Sequence, residues 1–323
     1  MTAPTISVVI PNYNHAPYLA QRIETVLSQT YPDFEVILLD DCSTDDSRSI
    51  IERYAQQDER IRTVFNDTNS GSPFAQWNKG VGLAQGEFVW IAESDDYAAP
   101  QLLETLVGPL KNDRNIGLAY CQSTIVNETG QAIGTAKNWT DDLDEERWKT
   151  TYTNQGADEC RYIIYKNTIP NASAVLFRKA VFWQAGGGDP ILRTAGDWLV
   201  WMKMLMRADV FFTPTPLNYF RSHPHTTRYT PDPEKIINKI REEYQVVSFG
   251  LQQIPLSARE REKALQAVFN RLISLFPVRL LLSSHFIEFI RIVRSADPGV
   301  NRRIINYLPK VVKRIRRRTL STN

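Results

Sequence analysis

Three carboxylates fall within four residues at Glu93-Ser94-Asp95-Asp96, directly after the apolar run Phe88–Ala92. Like charges this close repel unless a positive partner sits among them. A hard divalent cation, Mn²⁺ or Mg²⁺, would relieve that repulsion and would also reach phosphate oxygens. The plain alternative is a solvated acidic turn with an Asp capping the helix near Pro100. A second acidic pair, Asp40-Asp41, ends the apolar run Phe34–Leu39. A single carboxylate, Asp197, follows the flexible stretch Gly186-Gly187-Gly188 and opens an apolar helical pattern. An acid at a helix start in a cleft suits a general base. It suits an N-cap equally.

These acids must be held by something regular, and the chain supplies it. Ile6–Ile10 is a β-branched run of the kind buried in parallel sheets, stopped by Pro11. Pro17 opens a helical pattern in Leu19, Ile23, Val26 and Leu27. A strand over Phe34–Leu39 is followed by Ser43-Thr44-Asp45, N-cap chemistry for a helix through Ile50, Ile51 and Tyr54. Ile61–Phe65 is a third strand, Pro73–Ala84 a third helix and Phe88–Ala92 a fourth strand. This alternation predicts an α/β fold, a Rossmann-like, mostly parallel sheet flanked by helices. Ligands of such sheets bind outside the carboxyl ends of the strands, where both acidic clusters fall.

Beyond Pro100 the pattern loosens into a helix near Leu102–Leu110, a strand at Gly117–Val126 and polar irregular sequence to about residue 170. A strand at Ala172–Phe177 and helices at Arg178–Ala185 and Asp197–Met206 follow, and from about Pro231 only helical patterns remain. The expected division is a catalytic domain over 1–230 and a helical region over 231–323.

The ordered series SVVIPNYN, VILLDDCSTDDS and NSGSPFAQWNKGVGLAQGEFVWIAESDD resembles family 2 glycosyltransferases of the GT-A fold over roughly the first 220 residues. The resemblance implies an inverting, metal-dependent transfer of a sugar from a nucleoside-diphosphate donor, usually a UDP-sugar, to a hydroxyl acceptor. A glycan or lipid-linked glycan of cell-surface polysaccharide synthesis is the acceptor it suggests. By the same resemblance Pro11, Asn12 and Tyr13 line the base pocket, Asp41 contacts the base and Asp40 supports its loop. Asp95 and Asp96 reach ribose and metal, and Glu93 stands where the family more often has Asp. Lys79, in QWNKG, could reach the diphosphate as a point charge, or else stand as a solvated helix residue.

GGGDPILRTAGDWLVWM resembles the family's second signature, which makes Asp197 the catalytic base. Gly196 stands where many members have Glu, and Asp189 is a secondary candidate. NYFRSHPHTTR resembles a later Y-R-x-H segment, in which Arg221 would pair with phosphate and His223 would complete the metal shell or touch the donor.

Composition is that of an ordinary globular chain: 323 residues, 42% hydrophobic, 23% charged, net charge +2. That charge gives no case for nucleic-acid binding. Cys42, Cys121 and Cys160 form no CxxC pair, which suits a reducing cytoplasm. No signal peptide and no transmembrane run of eighteen apolar residues are expected. From Gly299 onward eight Lys or Arg occur with no acid, and Ile304, Leu308, Val311 and Ile315 recur on one helical face. Such a tail fits the anionic inner face of the cell membrane, or else a packed helix with a frayed basic end. A dinucleotide-dependent oxidoreductase lacks its G-x-G-x-x-G after the first strand. A non-catalytic sugar-nucleotide-binding scaffold of the same fold stays open.

Overall fold

The first apolar run becomes β1 (Ile6–Asn12), buried at every residue. Strand β2 (Phe34–Asp40) lies parallel on one side of it and β4 (Phe88–Ile91) parallel on the other. Burial on both faces is what a central parallel strand requires, and helices supply the cover. Helix α1 (Ala16–Leu27) and α4 (Leu102–Asn112) close over the face of Ile6, Val8 and Ile10. Helix α3 (Pro73–Leu83) covers the opposite face, where a side chain at Gly80 would meet Val9 at 2.2 Å. Glycine there allows helix and sheet to approach that closely.

The computed structural model describes residues 4–223, 232–275, 283–307 and 309. Further elements are α2 (Ser47–Gln57), β3 (Ile61–Phe65), β5 (Tyr97–Ala98), β6 (Ile116–Val126) and β7 (Ala132–Thr135). After them come β8 (Tyr152–Asn154), α5 (Gly156–Ile163), β9 (Val175–Arg178), α6 (Lys179–Gln184), α7 (Gly196–Leu205) and β10 (Asp209–Arg221). The main sheet order is β3-β2-β1-β4-β9-β6-β10-β5. It is mixed but mostly parallel: the ladders β1/β2, β1/β4, β2/β3 and β6/β10 are the long ones. The order reverses between β1 and β4, which places the ligand crevice of this α/β sheet at their carboxyl ends.

The chain divides into two compact units, Met1–Ile163 with Asn167–Thr226, and Ile164–Lys166 with Thr227–Asn323. The second contains α8 (Pro233–Gln253), α9 (Ala258–Leu275), α10 (Ser284–Ala296) and a further helix from residue 300. No helix among the described residues is long and apolar enough to cross a membrane. The basic face expected of the tail is altered where it can be seen. Arg303 is 1% exposed and donates to Asp297 Oδ2 (2.5 Å) and to both carboxylate oxygens of Glu262 (2.7 and 2.8 Å), while Arg302 pairs with the same Glu262. Burial with two acids takes Arg303 out of any free cationic stripe, whereas Arg302 stays exposed beside Glu262. Leu308 and everything from Lys310 onward lie outside the described residues.

Candidate functional site

Register brings the predicted acids together. Asn12 at the end of β1 pairs with Asp40 at the end of β2, and Val9 pairs with Ile91 near the end of β4. The turns after three adjacent strands therefore open into one crevice.

On the β2 side, Asp40 is buried and accepts from Asn12 Nδ2 (2.9 Å) and from the Ser43 amide (3.0 Å). The Ser43 hydroxyl is not an N-cap as expected. It accepts from Asn14 N (2.9 Å) and so ties the two turns together. Helix α2 starts four residues later, where Asp45 does supply the expected chemistry by accepting from Ser47 N (3.0 Å) through Oδ1, while its Oδ2 accepts from the first amide of α1, Ala16 N (2.9 Å). Asp41 is held by Asn66, by the amide and hydroxyl of Ser70, and by Gln76 Nε2 (2.9 Å). Three of these donors meet Oδ1 and one meets Oδ2. Lys79 is exposed and donates to Asn66, one bond removed from Asp41. Pro11 is buried in β1, and Tyr13 just beyond it is 46% exposed.

On the β4 side the three acids part company. Glu93 accepts from Trp77 Nε1 (2.8 Å), and burial, followed by the nearby charge of Asp95, pushes its carboxyl up to about 8. Asp96 is 1% exposed and fully engaged, accepting from Asn171 Nδ2 (2.9 Å) and from the Arg221 amide (2.9 Å). Asp95 alone turns to His223, with Nε2 at 3.1 Å from Oδ2. One ligand-capable atom each from His15, Asp95 and His223 lie within 4.8 Å of one another. His15 comes from the turn after β1, and its Nδ1 is 2.8 Å from Ser94 Oγ. Of the expected metal set of Glu93, Asp95, Asp96 and His223, the geometry brings Asp95 and His223 together and places His15 beside them. Glu93 and Asp96 accept hydrogen bonds from Trp77, Asn171 and Arg221.

Two arginines hold the acidic turn from below. Arg22, a fully buried residue of α1, donates Nε to Glu93 O (2.8 Å) and brings Nη2 within 4.0 Å of Asp96. Burial lowers it to about 10, so it remains cationic at neutral pH, over the Trp90 ring at 5.5 Å. Arg221 differs from its expected phosphate role. Its Nε donates to Asp95 O (2.7 Å), Nη1 to Glu128 O (2.7 Å) and Nη2 to Gln21 Oε1 (2.6 Å), and the residue is 2% exposed. A guanidinium with each nitrogen committed to protein oxygen is a strut. Arg22→Met should remove the buried cation facing three acids and destabilise the fold by about 3–5 kcal/mol. Denaturant unfolding measures this, and a midpoint within error of wild type would refute the countercharge role.

Asp197 is the second residue of α7, whose N-cap position is Ala195, so it is not the cap residue the sequence suggested. Its Oδ2 accepts from Asn167 Nδ2 (3.0 Å). The same short segment runs on to Asn171, which holds Asp96, and to Ser173, whose hydroxyl accepts the Glu93 amide (3.0 Å). Segment 167–173 thus couples the loop after β4 to the start of α7. Asp189 takes a turn role, accepting from Ile191 N (3.0 Å). The missing Glu before Asp197 also has a physical reason. A side chain at Gly196 would meet the Phe74 ring at 2.3 Å. Gly196→Ala should therefore cost about 1–3 kcal/mol by overpacking, and the added change Phe74→Leu should recover part of it. A thermal midpoint unchanged by Gly196→Ala would exclude the steric explanation.

Sequence reasoning gave no functional role to His15, Arg22, Asn167 or Asn171. Only Asn171 carried any signal, an N-x-S triplet that points elsewhere.

Residues 7–184 match the family described as Glycosyl transferase family 2. The chain is 42% identical over 101 residues to Glycosyltransferase GlyG of Streptococcus pneumoniae, covering 31% of this chain and 33% of that one. It is 43% identical over 93 residues to the putative teichuronic acid biosynthesis glycosyltransferase TuaG of Bacillus subtilis, covering 29% and 36%. The chain thus spans about a third of the length of these curated relatives. Among solved structures, S. aureus TarS 1–349 in complex with UDP-GlcNAc aligns with a TM-score of 0.60 at 20% identity, over 92% of each chain. Mannosyltransferase PcManGT from Pyrobaculum calidifontis, in complex with GDP-Man and Mn²⁺, aligns at 0.58 and 14% identity, over 93% and 87%. At such identities the likeness is one of fold.

Proposed function

Because this chain belongs to glycosyl transferase family 2, we propose that it moves a sugar, with inversion, from a nucleoside-diphosphate donor to a hydroxyl of a glycan acceptor. The observation that carries this reading is the crevice itself, with a rigid carboxylate network on one wall and the His15–Asp95–His223 trio on the other. Complexes of the structural neighbours with UDP-GlcNAc and with GDP-Man and Mn²⁺ support it.

In this reading Tyr13, half exposed at the end of β1, stacks on the base, with Pro11 and Asn12 shaping the strand end beneath it. Asp41 accepts the ring N–H through Oδ2, the oxygen with fewer donors already on it. Asp40 and Asn12 keep the two turns in register. Lys79 adds positive charge on the same side. Two imidazoles and one carboxylate form a donor set that fits a divalent cation such as Mn²⁺. When bound, such an ion supplies neutralising charge for the departing diphosphate. Ser94 orients the His15 ring through Nδ1, and Arg221 fixes the Asp95 backbone, so both ligands are held before any substrate arrives. Asp197 takes the proton from the acceptor hydroxyl, with Asn167 aiming its carboxylate.

Release of nucleoside diphosphate from a panel of UDP-, GDP- and dTDP-sugars, measured with EDTA and with Mn²⁺ restored, tests the proposal. One donor should be consumed, chelator should stop the reaction and Mn²⁺ should revive it. A protein that binds donors but never consumes one in the presence of acceptor would be a scaffold. Full turnover in chelator would remove the metal from the scheme.

A further inference from the structure

The structure places an exposed indole beside the candidate base. Trp139 ends the 3-10 turn Ala136–Trp139, which follows β7, a strand exposed along its whole length. The Trp139 residue is 42% exposed, yet its Nε1 donates to Asn167 O at 2.7 Å. The polar tip is thereby satisfied inside the protein although the residue stays well exposed. The residue that takes this hydrogen bond is the one whose Nδ2 holds Asp197 Oδ2 at 3.0 Å. Only one residue separates the indole from the carboxylate, which keeps the indole nitrogen within about 12 Å of the carboxylate, inside the reach of one or two pyranose rings.

We propose that Trp139 is the platform for a pyranose ring of the acceptor, so that the acceptor is a glycan end and not a bare polyol phosphate. This rests on Asp197 being the base. An indole face carries partial negative charge and a large apolar area, and the C–H face of a pyranose offers the matching partial positive charge. A polyol phosphate has no flat C–H face and brings charge that an indole does not meet. Asn167 serves as the positioning residue, one bond fixing the indole and another the carboxylate. A ring seated on Trp139 would present its hydroxyls on the Asp197 side in a restricted set of orientations. Trp139 then determines acceptor specificity without touching the donor.

Saturation-transfer NMR on the full chain, with methyl α- and β-glycopyranosides and with glycerol 3-phosphate as probes, reads this directly and needs no turnover. Wild type should transfer saturation to the ring C–H protons of at least one glycoside and not to glycerol 3-phosphate. Trp139→Ala should abolish the effect, and Trp139→Phe, which keeps a face but loses the N–H, should retain most of it. Trp139→Gln keeps a donor for Asn167 and removes the ring, so it separates platform from scaffold should the Ala variant be unstable. In transfer assays the acceptor KM should rise on the order of 10-fold or more in the Ala and Gln variants, with acceptor-free donor hydrolysis unchanged. Equal glycoside signals in wild type and both ring-less variants, or preference for glycerol 3-phosphate, would overturn the proposal. Absence of donor hydrolysis in wild type would instead count against the transferase reading and leave the NMR result to decide the platform.

Discussion

Asp197→Asn should lower turnover by on the order of 10²- to 10⁴-fold, the usual worth of a positioned proton acceptor. Donor affinity should stay near wild type, because the sites proposed for base and diphosphate lie in the turns after β1, β2 and β4. The structure changes what the substitution does to stability. The Asp197 carboxylate accepts from Asn167 Nδ2 on one oxygen and from Trp198 N on the other. An amide can satisfy only one of them while its NH₂ faces the second, so about 1 kcal/mol of stability should go. That loss is too small to mimic a catalytic defect. Isothermal calorimetry with the donor, single-turnover transfer and a denaturant melt separate the three quantities. A mutant with near wild-type turnover would end the case for this residue and move attention to Asp189.

Asp95→Asn should be at least as severe, for a different reason. It removes the one carboxylate of the trio and leaves two imidazoles, and an amide oxygen is a far weaker partner for a hard cation. A drop of at least about 10³-fold in kcat/KM follows if several kcal/mol of leaving-group stabilisation goes with it. The Arg221 contact runs to the Asp95 backbone carbonyl and should survive, so the loop itself should hold its shape. Mn²⁺ binding followed by electron paramagnetic resonance of the free ion should weaken in parallel with activity, and His15→Ala should weaken it as well. Asp95→Asn with undiminished Mn²⁺ affinity would show that the trio is not the metal site. Undiminished binding in His15→Ala alone would return His15 to the orienting role its contact with Ser94 suggests.

The two substitutions differ in how well the sequence could have announced them. Both acids were legible because they stand at ends of regular elements whose periodicity is local. Asp95 follows an apolar strand, and Asp197 sits in the first turn of a helix. Their partners were not legible. His223 and Asp95 are 128 residues apart, and His15 is 79 residues from the Ser94 it contacts. Arg22 resembles any polar residue of an amphipathic helix, and only packing places it at zero exposure under the acidic turn.

By itself the sequence determined the alternation of strands and helices, the parallel half of the sheet, the acidic strand ends and the family. Each rests on short-range constraints: period-2 and period-3.6 burial, proline at helix starts, and polar residues where strands stop. The tertiary structure decided the rest. Strand β10 was hidden because Pro214 and Pro216 argue against a strand, yet both fall where its ladder with β6 shifts register. That strand delivers Arg221 and His223 to the crevice and so decides which of three neighbouring acids faces an imidazole. Side chains a hundred residues apart leave no periodic trace of their meeting, and whether a charge is a ligand, a strut or a countercharge depends on what burial places around it.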